Sequence, residues 1–435
     1  MITDRVRVRA APGPAWLGET RRQARDRFTA VGLPTPRDEE WKYTSLAPLA
    51  AIPFDLDGAA GGEDLDQAEV APFLMGDPSW SRLVFVNGRY SPTLSLVPFV
   101  PDGTRIGSLA EAVVTDAAPL RQYVAGRIGE DGDGFTALNA AAWRDGALVL
   151  VPAGVVLTAP LHLVFVATSP GAATVAHPRN LIVAGRSSQV TVVESYGAVA
   201  GGRYLTNAVT DIVVGEGARV DHYKLQHESA GAFHVGRTRV GQHRDSRFSS
   251  CSIAFGGRLA RNDVHVMLSG DGAECALNGL SVIGGQQHTD THTVVDHVAP
   301  RATSRQLYKG VLDGRARGVF NGRIVVRPGA QKTDAHQTNK NLLLADGVEV
   351  DSKPQLEIFA DDVKCSHGAA DGQLAGEAIF YLQSRGFGEA RARALLTYGF
   401  ASEVLGHIRE ATVRARLEAA LTARLRGGRV GEETA

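Results

Sequence analysis

The stretch from about 147 to about 370 constrains the fold most, because it reads as one short strand after another with a turn between each pair. Apolar runs rich in β-branched residues recur at Ala147-Leu148-Val149-Leu150-Val151, Leu161-His162-Leu163-Val164-Phe165-Val166, Leu181-Ile182-Val183, Val190-Thr191-Val192-Val193 and Asp211-Ile212-Val213-Val214. They continue at Val264-His265-Val266-Met267-Leu268, Ile324-Val325-Val326 and Leu342-Leu343-Leu344. Such runs, bounded by Gly, Asp, Asn and Pro, signal strands, and no helical period interrupts them. The turns resemble one another: Gly215-Glu216-Gly217, Gly270-Asp271-Gly272, Pro328-Gly329-Ala330, Asp346-Gly347-Val348 and Asp361-Asp362-Val363. Glycine suits such corners because it reaches positive φ without a Cβ clash. Strand, corner and strand repeated at irregular spacing predict a parallel β-helix, in which each coil buries its inner face by stacking on the next. A large antiparallel sandwich or barrel is the competing architecture. Asn-Gly hairpin dipeptides are few (Asn87-Gly88, Asn278-Gly279, Asn321-Gly322), which favours the solenoid.

Helical patterns flank this core. The division expected is a mostly helical N-terminal domain over 1–145, a β-helix core over 146–370 and a helical C-terminal domain over 371–435. The first helix spans 15–31 and is stopped by Gly32-Leu33-Pro34. The next segment, 36–46, is dense in charge and aromatics; a solvated turn anchored by Trp41 and Tyr43 is a plainer reading of it than a ligand site. The acidic, Gly- and Ala-rich stretch 55–78 reads as a loose connection, 83–90 as a hairpin with a type I′ turn at Asn87-Gly88, and 107–143 as helical. Beyond Asp371 helices are expected over 376–385, 389–398, 402–408 and 413–425, with a frayed tail at 427–435. Their apolar side either closes the end of the β-core or docks a partner.

Several function classes drop out. With 46 Lys and Arg against 47 Asp and Glu, there is no electrostatic case for nucleic acid or a membrane surface. Three scattered cysteines make no disulfide framework and no CxxC zinc site. The N-terminus lacks an apolar signal core and no run is long enough to span a bilayer, so a soluble cytoplasmic protein is expected. There is no Walker A motif and no GxSxG elbow. The Gly-x-Gly pairs lack a third glycine and sit at strand corners, so this chain is not expected to bind nucleotide.

Two histidine-bearing stretches remain. His288, Asp290 and His292 share one face of a strand, because side chains alternate with a period of two. They form a weak metal candidate, with a polar ladder on the outside of a β-helix as the alternative. Cys365 and His367 also share a face, and a thiolate beside an imidazole suits iron or zinc in softness. Two donors are not a complete site, so a second chain would supply the rest; a buried cysteine beside a hydrogen-bonded histidine is the alternative.

Longer motifs carry a resemblance. Gly329-Ala330-Gln331-Lys332-Thr333-Asp334-Ala335-His336-Gln337-Thr338-Asn339-Lys340 leads into Asp361-Asp362-Val363-Lys364-Cys365-Ser366-His367-Gly368-Ala369 and then Tyr381-Leu382-Gln383-Ser384-Arg385-Gly386. With Arg37-Asp38-Glu39-Glu40-Trp41-Lys42-Tyr43-Thr44, Phe135-Thr136-Ala137-Leu138-Asn139 and Gly285-Gln286-Gln287-His288-Thr289-Asp290, nearly the whole chain resembles the SufB/SufD family of iron–sulfur cluster assembly proteins, on its SufD side. SufB-type members carry Cys-Asp-Ser where this chain has Thr338-Asn339-Lys340, and Glu-His-Glu-Ala where it has Cys365-Ser366-His367-Gly368.

The resemblance implies a right-handed parallel β-helix flanked by helical domains. It implies a scaffold rather than an enzyme, in a complex with SufB, met through the β-helix, and with the ABC-type ATPase SufC, docked on the C-terminal helices. Phe387, Tyr398 and Phe400 are the candidate SufC contacts. His367, with Cys365, lies near the SufB interface and is implicated in acquiring iron or building the nascent cluster. That cargo would be transient and shared with SufB, with no cofactor stably held by this chain alone. A homodimer of the isolated chain is compatible with the resemblance and is not decided by the sequence. Two other readings compete: a β-helix enzyme acting on carbohydrate, whose support is the Asp290/Asp296 pair, and a purely structural homodimer without a metal role.

Overall fold

The computed structural model describes residues 13–54, 65–98, 100–116, 118–125, 133–168, 173–425 and 430. Two long sheets face each other, and the chain alternates between them. The first runs in space from Arg89–Tyr90 and Ser81–Val86 through Leu161–Ala167, Gln189–Ala198, Arg219–Gln226, Arg247–Ala254, Glu274–Ile283, Thr303–Leu312 and Asp334–Leu343 to Lys364–Gly372. The second runs from Arg105–Ser108 through Ala147–Val151, Arg179–Ala184, Tyr204–Val214, Phe233–Gln242, Leu259–Leu268, His288–His297 and Arg317–Val326 to Glu349–Ile358. The pairings at the start of each sheet, Ser81–Val86 with Arg89–Tyr90 and Arg105–Ser108 with Ala147–Val151, are antiparallel. Every later pairing of these strands is parallel. This is the parallel β-solenoid that the repeated strands predict.

Stacking like on like fills the interior. Ile182, Val192, Ile212, Val220, Val240, Val266, Leu277 and Val295 belong to one buried cluster between the sheets. Phe85, Phe165 and Tyr196 are register partners in successive coils, and their rings stack at 5.0 and 4.7 Å. The strand spacing of about 4.8 Å sets that distance. Polar groups also enter the interior. Glu194 accepts from Tyr196 (2.9 Å) and Thr210 (3.0 Å), and the Lys224 ammonium donates to Asn262 (3.0 Å).

The corners are more regular than the sequence suggests. Ser187, Gly217, Asp245, Gly272, Arg301 and Lys332 all have φ between 53° and 66°. They stack coil on coil: each N–H donates to the carbonyl just before the next such residue, as in Gly217 to Arg244, Asp245 to Asp271 and Arg301 to Gln331. The hydrogen-bond ladder therefore continues through the bend. At the third expected corner the left-handed residue is Lys332, not Gly329.

The flanks differ in part from expectation. Ala15–Val31 forms as expected and packs through Ala24 on Ala140 and Ala141 of the helix Gly134–Ala142. That helix is pinned to the second sheet by Asn139, which donates to the Pro178 and Asn207 carbonyls (both 2.9 Å). The hairpin at 83–90 forms, with Asn87 and Gly88 at φ 49° and 75°. The stretch 107–143 is not helical throughout: it begins in the strand Arg105–Ser108 before Leu109–Thr115, Ala118–Val124 and Gly134–Ala142. Of the supposed loose connection, 55–64 lies outside the described residues, and Gln67–Val70 is a short helix closed by a capping box between Asp66 and Glu69. The strands Ser81–Val86 and Arg105–Ser108 extend the solenoid sheets well before 146.

At the C-terminal side the pieces expected over 389–398 and 402–408 are one helix, Glu389–Leu405, with Gly399 inside it. Apart from Val430, the tail 427–435 lies outside the described residues. Glu389–Leu405 and Ala411–Arg424 lie along the outer side of the first sheet, burying Val404, Leu405, Leu417 and Leu421 against Tyr223, Ile253, Val282 and Val311. They flank the solenoid and, among the described residues, leave its last coil uncovered. Among the described strands, Glu349–Ile358 pairs only with Arg317–Val326, and Lys364–Gly372 only with Asp334–Leu343. No helix among the described residues is long and apolar enough to cross a membrane.

Candidate functional site

The bare end carries Cys365 and His367 on its last strand. Register fixes which way they face, since partners across a ladder point to the same side. His222, Ser250, Leu277, Gln306, Gln337 and His367 form one register column, and Leu277 is buried between the sheets. His367 therefore belongs to the inward set, and it is exposed because no further coil covers it. Cys365 registers on Ala335 and is half-buried beside Ile324, Val326 and Ala330. Burial pushes its thiol pKa up. A metal bound there would displace the thiol proton, since the thiolate is the ligand. Among the described residues no three His, Cys, Asp or Glu side chains converge to hold a metal ion, so these two donors remain an incomplete set.

The other histidine stretch is a different object. His288, Asp290 and His292 face outward from the second sheet, where the segment around Glu40, Trp41 and Thr44 covers them. The Asp290 carboxylate accepts from Thr44 Oγ1 (2.6 Å) and from Arg261 (2.8 Å), and stands 3.0 Å from His292 Nε2. His292 Nδ1 lies 3.1 Å from the Glu40 carboxylate, and His288 Nε2 is 3.1 Å from Thr44 Oγ1. Arg261 also clasps Asp263 through two hydrogen bonds (3.0 and 2.9 Å), donates to the Glu40 carbonyl (2.7 Å) and stacks 3.9 Å from the Trp41 ring. Burial opposes the charge on His292, but carboxylates at both ring nitrogens outweigh it and lift its pKa to about 9. Burial likewise opposes ionisation of Asp290, but Arg261 and His292 prevail and hold its pKa well below the usual carboxylate range.

Around His288, Asp290 and His292 the structure shows an ion-pair network, with Arg261 and Thr44 on Oδ2 of Asp290 and His292 beside Oδ1. Asp296 is likewise tied, by a two-pronged pair with Arg327 (both 2.9 Å). Beside the network lies a cleft of about 580 Å³, bounded by Trp41, Asp133, Arg237, Arg323 and Arg327. Sequence reading missed Glu40, Thr44 and Arg261. The signal it had was the spacing of Arg261 and Asp263, two residues apart on a strand.

Residues 165–400 match the SufBD core domain of the SUF system for FeS cluster assembly, and residues 7–163 match the SufBD protein N-terminal region. The chain belongs to the SufBD family. An iron–sulfur cluster assembly SufBD family protein of Synechocystis is 35% identical over 419 residues, covering 94% of this chain and 91% of the relative. The iron–sulfur cluster assembly protein SufD of Escherichia coli is 34% identical over 400 residues, covering 92% of this chain and 90% of that one. The chloroplastic protein ABCI7 of Arabidopsis thaliana is 29% identical over 401 residues, covering 89% and 82%.

In this SufBD chain the three aromatic residues singled out near the C-terminus are all half-buried, and Phe387 lies between the helices Gly376–Ser384 and Glu389–Leu405. Tyr398 and Phe400 are half-buried against the first sheet. Lys309 Nζ sits 4.3 Å over the Phe400 ring and donates to the Phe400 carbonyl (2.8 Å). Phe387 is half-buried with the Arg391 guanidinium 5.2 Å above its ring. The aromatics that do face solvent there are Phe380, 71% exposed, and Tyr381, 58% exposed.

Proposed function

We propose that this SufBD chain is a non-enzymatic scaffold subunit of the SufD type, working in the cytoplasm. It pairs at its bare solenoid end with a SufB-type paralogue and carries the ATPase SufC on its C-terminal helices. Iron or a nascent iron–sulfur cluster is the cargo, transient and shared with SufB at that interface, with His367 and Cys365 as this chain's donors. The observation that carries the reading is the position of those two residues: on the last strand, on the inward face, beside an unpaired edge. An unpaired edge is a ready template for another strand, and a partner seated there would bring the missing donors. In the absence of SufB the same edge would meet a second copy of the chain. Phe380 and Tyr381 are better placed than Tyr398 and Phe400 to meet SufC, because they are exposed.

Anaerobic reconstitution with SufB and SufC tests this, comparing wild type and His367→Ala by iron content and cluster absorbance. The expected outcome is an intact complex that has lost its cluster. An unchanged cluster would leave this chain a structural partner only and move the chemistry to SufB.

A further inference from the structure

Gln337 is the register partner of His367, one coil further in. It is 1% exposed, and both Oε1 and Nε2 of its amide lack a hydrogen-bond partner. The amide reaches across the interior toward the second sheet. A Cβ on Gly322 there would lie 2.2 Å from Gln337 Nε2, so glycine at 322 is what admits it. Its neighbour further in, Gln306, accepts a hydrogen bond from Thr293 at Oε1 (2.8 Å) and lacks a partner at Nε2, whereas Gln337 lacks one at both atoms. Leaving a buried amide unpaired costs about 1–3 kcal/mol, and an apolar side chain of equal length would avoid that cost. The polar side chain registered directly above it, about 4.8 Å away along the sheet, is the exposed imidazole of His367.

We propose that Gln337 is a positioning residue for His367. Turned inward about its χ angles, the imidazole donates one ring N–H to Gln337 Oε1, which leaves the lone pair of the other nitrogen facing the open end. Imidazole ligands are commonly oriented in this way, by a hydrogen bond at the nitrogen that does not bind. The inference rests on the reading of His367 given above.

The test uses the full-length chain with ring-labelled histidines, the His367 signal being assigned by its loss in His367→Ala. Gln337→Met keeps the length and removes the amide; Gln337→Glu keeps an acceptor oxygen. One tautomer is expected for His367 in wild type and in Gln337→Glu, and a tautomer mixture in Gln337→Met. The melting temperature of Gln337→Met should stay level or rise, and cluster assembly in the full complex should fall about 10- to 100-fold. Identical His367 ring spectra in wild type and Gln337→Met would overturn the proposal. Cluster assembly that survives His367→Ala, while Gln337→Met still moves the ring signal, would remove the functional reading and leave the positioning intact.

Discussion

Arg261 has one guanidinium and serves four neighbours: Asp263, Asp290, the Glu40 carbonyl and the Trp41 ring. Burying such a charge is costly, and it is stable here because two carboxylates and a backbone oxygen fill its donors. Arg261→Met would leave buried Asp290 with only His292 and buried Asp263 with only the more distant Arg237, at 3.8 Å, as counter-charges. Urea denaturation should show a loss of about 3–5 kcal/mol. Arg261→Lys should recover little of it, since an ammonium cannot reach two carboxylates and a carbonyl in one plane. Strand alternation could have paired Arg261 with Asp263, two residues apart, but neither was singled out from the sequence. Glu40 is 221 residues from Arg261 and was not legible, because only the fold brings that segment across the sheet. His367 and Cys365 show a related limit: their alternation gives two donors on one face, and only the longer motif points to a purpose.

The segment around Glu40 and Trp41 behaves as a strap across the second sheet. Trp41 is buried and stacks on Phe135 at 5.4 Å, while Glu39 pairs with Lys353 near the bare end. Its link through His292 is pH-dependent. His292 has a folded pKa of about 9, above its unfolded value of about 6.5, so protonated His292 stabilises the folded state. That contribution is complete below about pH 6.5 and is lost as pH rises through 9. Asp290 works in the opposite direction, and its contribution is lost only in acid, as pH falls below the ordinary carboxylate range. Hydrogen exchange in residues 36–46, corrected for intrinsic rate, should therefore be faster at pH 9.5 than at pH 6.5. Equal protection at both values would show that Trp41 and Arg261 hold the strap without His292. The same scale explains why the corners were only partly legible. Gly217 and Gly272 advertise a left-handed bend, whereas Ser187, Asp245, Arg301 and Lys332 adopt it because their N–H groups continue the ladder.

Across the whole molecule, the strand pattern was readable because each coil repeats an apolar inner face. The place of the C-terminal helices was not, because an apolar helix face shows that something is covered and not which surface. They lie along the first sheet, so the final coil stays bare, with Phe359 beside it 59% exposed. Phe359→Asp should weaken pairing at that end, seen as a shift toward monomer in sedimentation and loss of SufB co-purification. The melting temperature of the monomer should be unchanged, since the side chain is largely in solvent. Retained pairing would place the interface elsewhere.

The two ends of the solenoid are unlike. One begins in the short antiparallel strands Arg89–Tyr90 and Arg105–Ser108, whereas the other stops at two full parallel strands. A rod with two such long bare edges could add copies indefinitely and grow into a fibre. A rod with one is a chain terminator. Under the end-to-end pairing proposed above, growth along the axis would stop at two, and a stoichiometry would be written into the way the first coil is folded.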